Sequence, residues 1–395
     1  MRISYFNYHW EVDGTAIGAA TQIRSIASAL SGLGHVVDLQ FRNPRKQTSV
    51  EPRNGVSDGL KRFSALRRYG HVPKLVLRNF RYVPQETRLL QSFRPDVLLS
   101  VTSYCNLSAL YAARKMGIPY VAFVDGPLEY EYSLFYPEYY RYPALGRWLE
   151  GMSLRCADRV ICISEVLKGY LVRYGVNASK IHAVPNGVDT QAFKPGEPDR
   201  EIQNRYGLRG KVVVGYIGSF NFFSSPTAFV KPAKDICKRN PQVVFLFVGA
   251  GPVGGRMKEA AEQNGMADRM LFTGVVPHSE VPRILSVMDI VVSPYRDDYL
   301  FYNSSMKLLE YMAAGKASVA TALGQIKELI HGGYNGMLYE PGDYATMASK
   351  IETLVKDPEL RLSIATNARR TVEADWTWER QAGRIVAVLE KAIKQ

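Results

Sequence analysis

Cysteine is scarce in this chain. The four present, Cys105, Cys156, Cys162 and Cys237, stand at no metal-ligand spacing, so they are expected to be reduced structural thiols, with Cys162 packed as a small hydrophobe in ADRVICIS. Long apolar runs are also missing: a stretch such as 243–248 is far short of the roughly 20 residues that cross a bilayer. The opening MRISYFNYHWEVDG lacks a basic start followed by an apolar core, and reads as a strand entering a polar loop; the expected location is cytoplasmic. No repeat of about 20–50 residues and no low-complexity tract is evident. Acidic residues are outnumbered, 37 against 50 Lys and Arg, giving a formal charge of +13.

At 395 residues, with 46% hydrophobic and 22% charged residues, the chain reads as two folded domains and excludes a disordered, collagenous or coiled-coil rod. Strand-like and helix-like segments alternate. Strands are predicted at 1–6, 35–39, 97–101, 120–124 and 159–163, and helical spacing runs from 16 to 33 before Gly34. A Pro- and Gly-rich stretch, PNGVDTQAFKPGEPDREIQ, reads as a connection between domains. The same alternation then resumes, with strands at 212–217, 243–248, 270–273, 290–293, 318–320 and 336–339 and a last amphipathic helix at 378–393. The predicted class is α/β: two facing doubly wound domains, 1–190 and 191–377, with an interdomain cleft and a final segment, 378–395, free to pack across either half.

The positive charge is concentrated. Residues 42–81 hold eleven basic residues against Glu51 and Asp58, and Leu60, Phe63 and Leu66 recur at helical spacing among them. A solvated surface helix and attachment to an anionic membrane surface are the two main readings, and no nucleic-acid partner is expected. A tyrosine-rich stretch holds Tyr130, Tyr132, Tyr136, Tyr139, Tyr140 and Tyr142, joined by Phe135. Such rings suit sugar faces, a membrane interface or a core edge.

The chemistry concentrates in YNSSMKLLEYMAAGK, residues 302–316. Ser304 or Ser305 is a good N-cap, and a polar turn opening a helix presents free N–H groups and partial positive charge to an anion. Lys307 sits in the first turn, where a cation opposes the helix dipole and calls for a negative partner. Glu310 lies on the same face. Its carboxylate can accept from vicinal hydroxyls, or the two form an ordinary Lys–Glu helical pair.

This segment resembles the donor domain of family 4 glycosyltransferases of the GT-B fold, in the variant Ser-Pro-x-Lys-Leu-x-Glu-Tyr-Met-Ala-x-Gly-Lys. Ser304, Lys307, Leu308, Glu310, Tyr311, Met312, Ala313, Gly315 and Lys316 match it. Similar matches run along the chain in order: Gly14 to Gly18, Gly34-His35-Val36, Pro95-Asp96-Val97, Gly117-Ile118-Pro119, Pro185-Asn186-Gly187-Val188-Asp189, Gly215 to Gly218, Val248 to Pro252 and Met288 to Pro294. The resemblance implies a retaining sugar transferase (EC 2.4) using a UDP- or GDP-linked donor without a metal. The tyrosine-rich stretch together with the basic 42–81 segment favours a glycan or lipid-linked glycan as the acceptor, with polysaccharide biosynthesis as the setting and the inner face of the membrane as a peripheral location. The resemblance implies Asp125, Lys307 and Glu310 as catalytic residues. Gly218, Ser219, Gly251, Val276, Tyr302, Asn303, Ser304 and Ser305 would hold the donor, and Gly14, Gly18, Glu129 and Tyr130 the acceptor.

Three departures qualify the resemblance. Tyr302 stands where the first of two spaced glutamates is found, Ser219 and 221–225 replace the family's Arg and Lys, and Asp125-Gly126 replaces His-Gly. The adjacent Asp297 and Asp298 are read as solvated carboxylates. A catalytically silent subunit of the same fold, with an eroded donor site, is one alternative; a nucleotide-sugar epimerase, which needs an acid–base pair, is another.

Overall fold

A computed structural model describes residues 1–7, 17–41, 70–137, 139–221, 229–297 and 299–394. Two compact units result, one of Met1–Pro185 with Trp378–Gln395 and one of Asn186–Thr377.

The first unit is built on a parallel six-stranded sheet in the order β2-β1-β3-β4-β5-β6. Its strands are β1 (Arg2–Asn7), β2 (Val36–Phe41), β3 (Val97–Val101), β4 (Tyr120–Val124), β5 (Arg159–Cys162) and β6 (Ile181–Ala183). VLLSV and YVAFV are buried throughout, as strands covered by helices on both faces must be. The three-residue β6 was not among the expected strands, because IHA is too short to show a period. The last helix, Trp378–Ile393, packs on helix Ile17–Gly32 and on β3, β4 and β5. Gly14, the basic helix expected around Leu60, Phe63 and Leu66, residues 222–225 and Asp298 lie outside the described residues.

The second unit carries strands in the order β12-β11-β10-β7-β8-β9. These are β7 (Val212–Ile217), β8 (Val243–Val248), β9 (Met270–Gly274), β10 (Ile290–Ser293), β11 (Ala317–Thr321) and β12 (Met337–Tyr339). Side chains alternate across this sheet: Val244, Leu246 and Val248 enter one core, Val243, Phe245 and Phe247 the other. Chain order reverses between β1 and β3 in the first sheet and between β7 and β10 in the second, the places where doubly wound folds bind ligands at the carboxyl ends of their strands.

Candidate functional site

At the carboxyl end of β7 the backbone of Ile217 continues past its pairing with β10, which ends at Gly215. Tyr311, fully buried on helix Met306–Ala313, fills that gap: its hydroxyl accepts from the Ile217 N–H at 2.7 Å and donates to the Ile217 carbonyl at 3.1 Å. One side chain thereby fixes the helix against the strand and sets where Lys307, a turn earlier, must lie.

Lys307 reaches the end of β7. Its ammonium donates to the Tyr216 hydroxyl at 3.2 Å and lies over the rings of Tyr216 and Tyr295, 4.7 and 5.2 Å from their centroids. Gly218 has φ +146°, a conformation that requires glycine, and a Cβ there would come within 2.9 Å of the Lys307 Nζ, so the lysine lies directly against this backbone. Burial opposes the charge on Lys307, but the hydroxyls of Tyr216, Tyr295 and Tyr311 outweigh it and hold its pKa above the ordinary lysine value. No carboxylate pairs with Lys307 among the described residues, so the expected alternative of a Lys–Glu helical pair does not form.

Glu310 turns the other way. Its Oε1 meets His278 Nε2 at 2.9 Å, and this hydrogen bond raises the histidine pKa above its usual value. His278 opens the turn after β9, with its ring 5.6 Å from that of Phe193. The loop carrying Phe193 is clamped in turn by Arg369, which donates to the carbonyls of Thr190 (2.9 Å), Phe193 (2.6 Å) and Ala313 (2.6 Å).

Two expectations at the helix start are corrected. Ser305 occupies the N-cap position, yet no side chain caps the helix: Ser305 Oγ lies 3.1 Å from the Tyr295 hydroxyl. Ser304 Oγ accepts from the Asn186 N–H at 2.9 Å, and its carbonyl accepts from Asn186 Nδ2 at 3.0 Å. Both serines are buried and hold the turn in place, while the first N–H groups of the helix keep no side-chain cap. Tyr302 is buried as well, and Asn303 half-buried. Ser219 accepts the Tyr216 hydroxyl on its carbonyl at 2.9 Å. At Gly251 a Cβ would meet the Phe220 carbonyl, so packing alone demands this glycine. Val276 is half-buried against the core of its unit.

In the first unit, Asp125 follows β4 and is half-buried, accepting from Gln22 Nε2 at 2.9 Å. Burial pushes its carboxyl pKa up, and the Gln22 amide only partly opposes this. At the end of β1, both amide atoms of the fully buried Asn7 lack a partner among the described residues. Asp125 is not a helix cap; that task falls to Glu150, whose carboxylate accepts from the N–H groups of Leu128 (3.1 Å) and Glu129 (3.0 Å). Glu129 is buried and held by Arg147 (3.2 Å) and the Tyr174 hydroxyl (2.8 Å), which makes it a structural carboxylate rather than a free acceptor ligand. Tyr130 is half-buried, and Gly18 is exposed with nothing near its missing Cβ. Of the tyrosine-rich stretch, Tyr132 stacks on Tyr104 at 3.9 Å and Tyr139 lies 4.5 Å from His71.

The family model described as Glycosyltransferase Family 4 matches residues 17–192, and the one described as Glycosyl transferases group 1 matches residues 211–357. The chain belongs to the family 4, group 1 glycosyltransferases. Among curated relatives, the alpha-D-kanosaminyltransferase of Streptomyces kanamyceticus is 26% identical over 57% of this chain. The 2-deoxystreptamine glucosyltransferase of the same organism is 25% identical over 73%. The aligned stretches span 58% and 74% of the lengths of those two relatives. Two solved structures show the same fold. Sucrose-phosphate synthase from Thermosynechococcus elongatus has a TM-score of 0.75 and 18% identity, covering 100% of this chain and 99% of that one. HepE from Anabaena, in complex with UDP, has 0.69 and 18%, covering 99% and 100%.

Within this family 4 chain, the second unit brings Gly218, Ser219, Lys307 and the start of the 306–313 helix together at the end of β7. Sequence reasoning missed His278, Tyr216 and Tyr295. Tyr216 sits on a buried strand and Tyr295 just past one, where aromatics read as core, and His278 belongs to no motif quoted for the family. Among the described residues no group of three or more His, Cys, Asp or Glu is placed to hold a metal ion, and no helix is long and apolar enough to cross a membrane.

Proposed function

We propose that the chain transfers a sugar, with retention of anomeric configuration, from a UDP- or GDP-linked donor to a glycan or lipid-linked glycan. The observation that carries this reading is the Lys307 ammonium: it is held charged, without a carboxylate partner among the described residues, at the end of β7 beside an uncapped helix N-terminus. A diphosphate is the ligand whose charge such an arrangement complements, and negative charge growing on it as the anomeric bond breaks is stabilised by the same groups. They fill the role a metal would otherwise fill. Glu310 accepts from vicinal hydroxyls of the donor, Gly218 and Ser219 approach the phosphates, and the 274–277 loop with Val276 lines the base. In the first unit, Asp125 orients the acceptor hydroxyl or the donor sugar, and the departing phosphate oxygen takes the acceptor proton. HepE, a structural neighbour, has been solved with UDP, and with UDP-glucose.

The membrane-facing part of the reading rests on the outer side of helix His71–Phe93. Leu77 (65% exposed) and Phe80 (77%) stand there beside Lys74, Arg81 and Arg88, and the only acidic residue of that helix, Glu86, is buried. Basic residues around exposed apolar side chains suit an anionic lipid surface.

Calorimetric titration with UDP and GDP, followed by a nucleotide-sugar panel with and without EDTA, tests the proposal. One diphosphate binding, its sugar conjugate turning over and EDTA leaving the rate unchanged are the expected results. Absence of any nucleotide binding would support the silent-subunit alternative instead.

A further inference from the structure

Lys307 and Glu310 are three residues apart on one helix, the spacing at which Lys and Glu side chains ordinarily pair. Such a pair would quench the two groups that the donor requires, one for phosphate and one for hydroxyls. They are separated: Lys307 turns to Tyr216 and the rings beside it, while Glu310 Oε1 is held by His278 at 2.9 Å. His278 is not loosely placed. Its ring lies 5.6 Å from that of Phe193, whose backbone is tied by Arg369 to the end of the very helix that carries Glu310. The Glu310 side chain is 13% exposed, with no protein partner for Oε2 among the described residues.

We propose that His278 is a positioning residue of the donor site: it holds Glu310 away from Lys307, so that Oε2 is presented to ligand hydroxyls and the ammonium is left to a phosphate. This rests on the donor-site reading above and adds to it a residue outside the motif. A histidine suits the task because Nε2–H donates to the carboxylate in the charged ring and in the neutral ring's Nε2–H tautomer, which the carboxylate favours. The carboxylate therefore stays oriented on both sides of the imidazole titration.

Two measurements test it. Imidazole resonances followed by NMR across a pH series report the pair directly: the His278 titration moves to lower pH in Glu310→Gln, and an unmoved titration would overturn the proposal without any nucleotide being added. Binding of UDP and GDP is then compared in the intact chain and its variants. His278→Ala is expected to weaken binding about five- to tenfold, and His278→Gln, whose amide donates the same hydrogen bond, to recover most of it. In the double variant with Glu310→Ala the histidine change should cost nothing further. Failure of the donor-site reading looks different: Lys307→Met and Glu310→Ala would leave nucleotide binding intact. If those two weaken binding while His278→Ala does not, or if the His278 and Glu310 losses simply add, the positioning role is overturned and the donor site stands.

Discussion

Replacing Lys307 by methionine separates a ligand-binding role from a packing one. The methionine keeps the unbranched stem and places a sulfur near the Tyr216 and Tyr295 rings, now 4.7 and 5.2 Å from the ammonium. What disappears in a bound complex is a charge-assisted hydrogen bond to phosphate, about 1.5–3 kcal/mol. At about 1.4 kcal/mol per factor of ten, Kd for UDP or GDP should rise roughly 10- to 100-fold. Stability should scarcely move. The variant loses two cation–ring contacts of about 0.5–2 kcal/mol each, but gains sulfur–ring contacts of about 0.3–1.5 kcal/mol and is relieved of desolvating a half-buried charge. These terms oppose one another and leave a net change under about 1 kcal/mol. Calorimetry for Kd and urea unfolding for stability give the two numbers on one preparation. An unchanged Kd would refute the phosphate role, and a stability loss above about 2 kcal/mol would show that the lysine serves the fold.

Tyr311→Phe removes both hydrogen bonds to Ile217 and strands a buried N–H and C=O, so urea unfolding should report about 2–4 kcal/mol lost from the second unit. Glu86 is buried with Oε1 accepting from Ser108 at 2.8 Å and Oε2 unpartnered, and burial raises its pKa to about 7. A carboxyl whose folded pKa lies above its unfolded value binds more protons when folded, so stability falls as pH rises from about 4.5 through 7, by an order of 3 kcal/mol. Glu86→Gln should flatten that slope in urea midpoints taken between pH 5 and 8. Leu77→Asp with Phe80→Asp should abolish flotation with anionic liposomes while leaving UDP or GDP affinity unchanged; flotation that persists removes that face from membrane binding.

All six expected strands of the second unit and five of the first were legible because each is a short, mostly apolar segment set off by turn residues, and the helix at 306–313 because its polar start and glycine end bracket it. What escaped is side-chain direction. Nothing in SS preceding MKLL tells that Ser304 would be taken up by Asn186, 118 residues earlier in the chain, and Ser305 by Tyr295. Spacing alone favoured a Lys307–Glu310 contact; the structure sends the two apart because partners from other elements, Tyr216 and His278, compete for each. Glu129 likewise looked free in EYEY, and its burial against Arg147 and Tyr174 depends on helices 143–155 and 165–173 folding over it. Period and propensity are local, whereas hydrogen-bond choice among several donors is settled only by the assembled sheet.

On the proposed function, the tyrosine at the position of the missing glutamate is where the fold would constrain the choice of sugar. Tyr302 is 9% exposed, so a carboxylate there would be largely withdrawn from water, with its pKa driven up and its charged form costly. Restoring the family residue by Tyr302→Glu should therefore lower the urea midpoint of the second unit and fail to improve donor binding. On the proposed function, recognition of the sugar would pass instead to Asn303, half-buried next to it at the entrance to the 306–313 helix. An amide can donate and accept at once, where a carboxylate only accepts, so the hydroxyl pattern it selects differs from that of a glutamate site. Asn303→Ala should leave the affinity for free UDP or GDP within about twofold and weaken the sugar conjugate about tenfold, the cost of one well-placed polar contact to a buried ligand. Equal losses for the free diphosphate and for its conjugate would place Asn303 against the phosphates and leave the sugar to be read from another element.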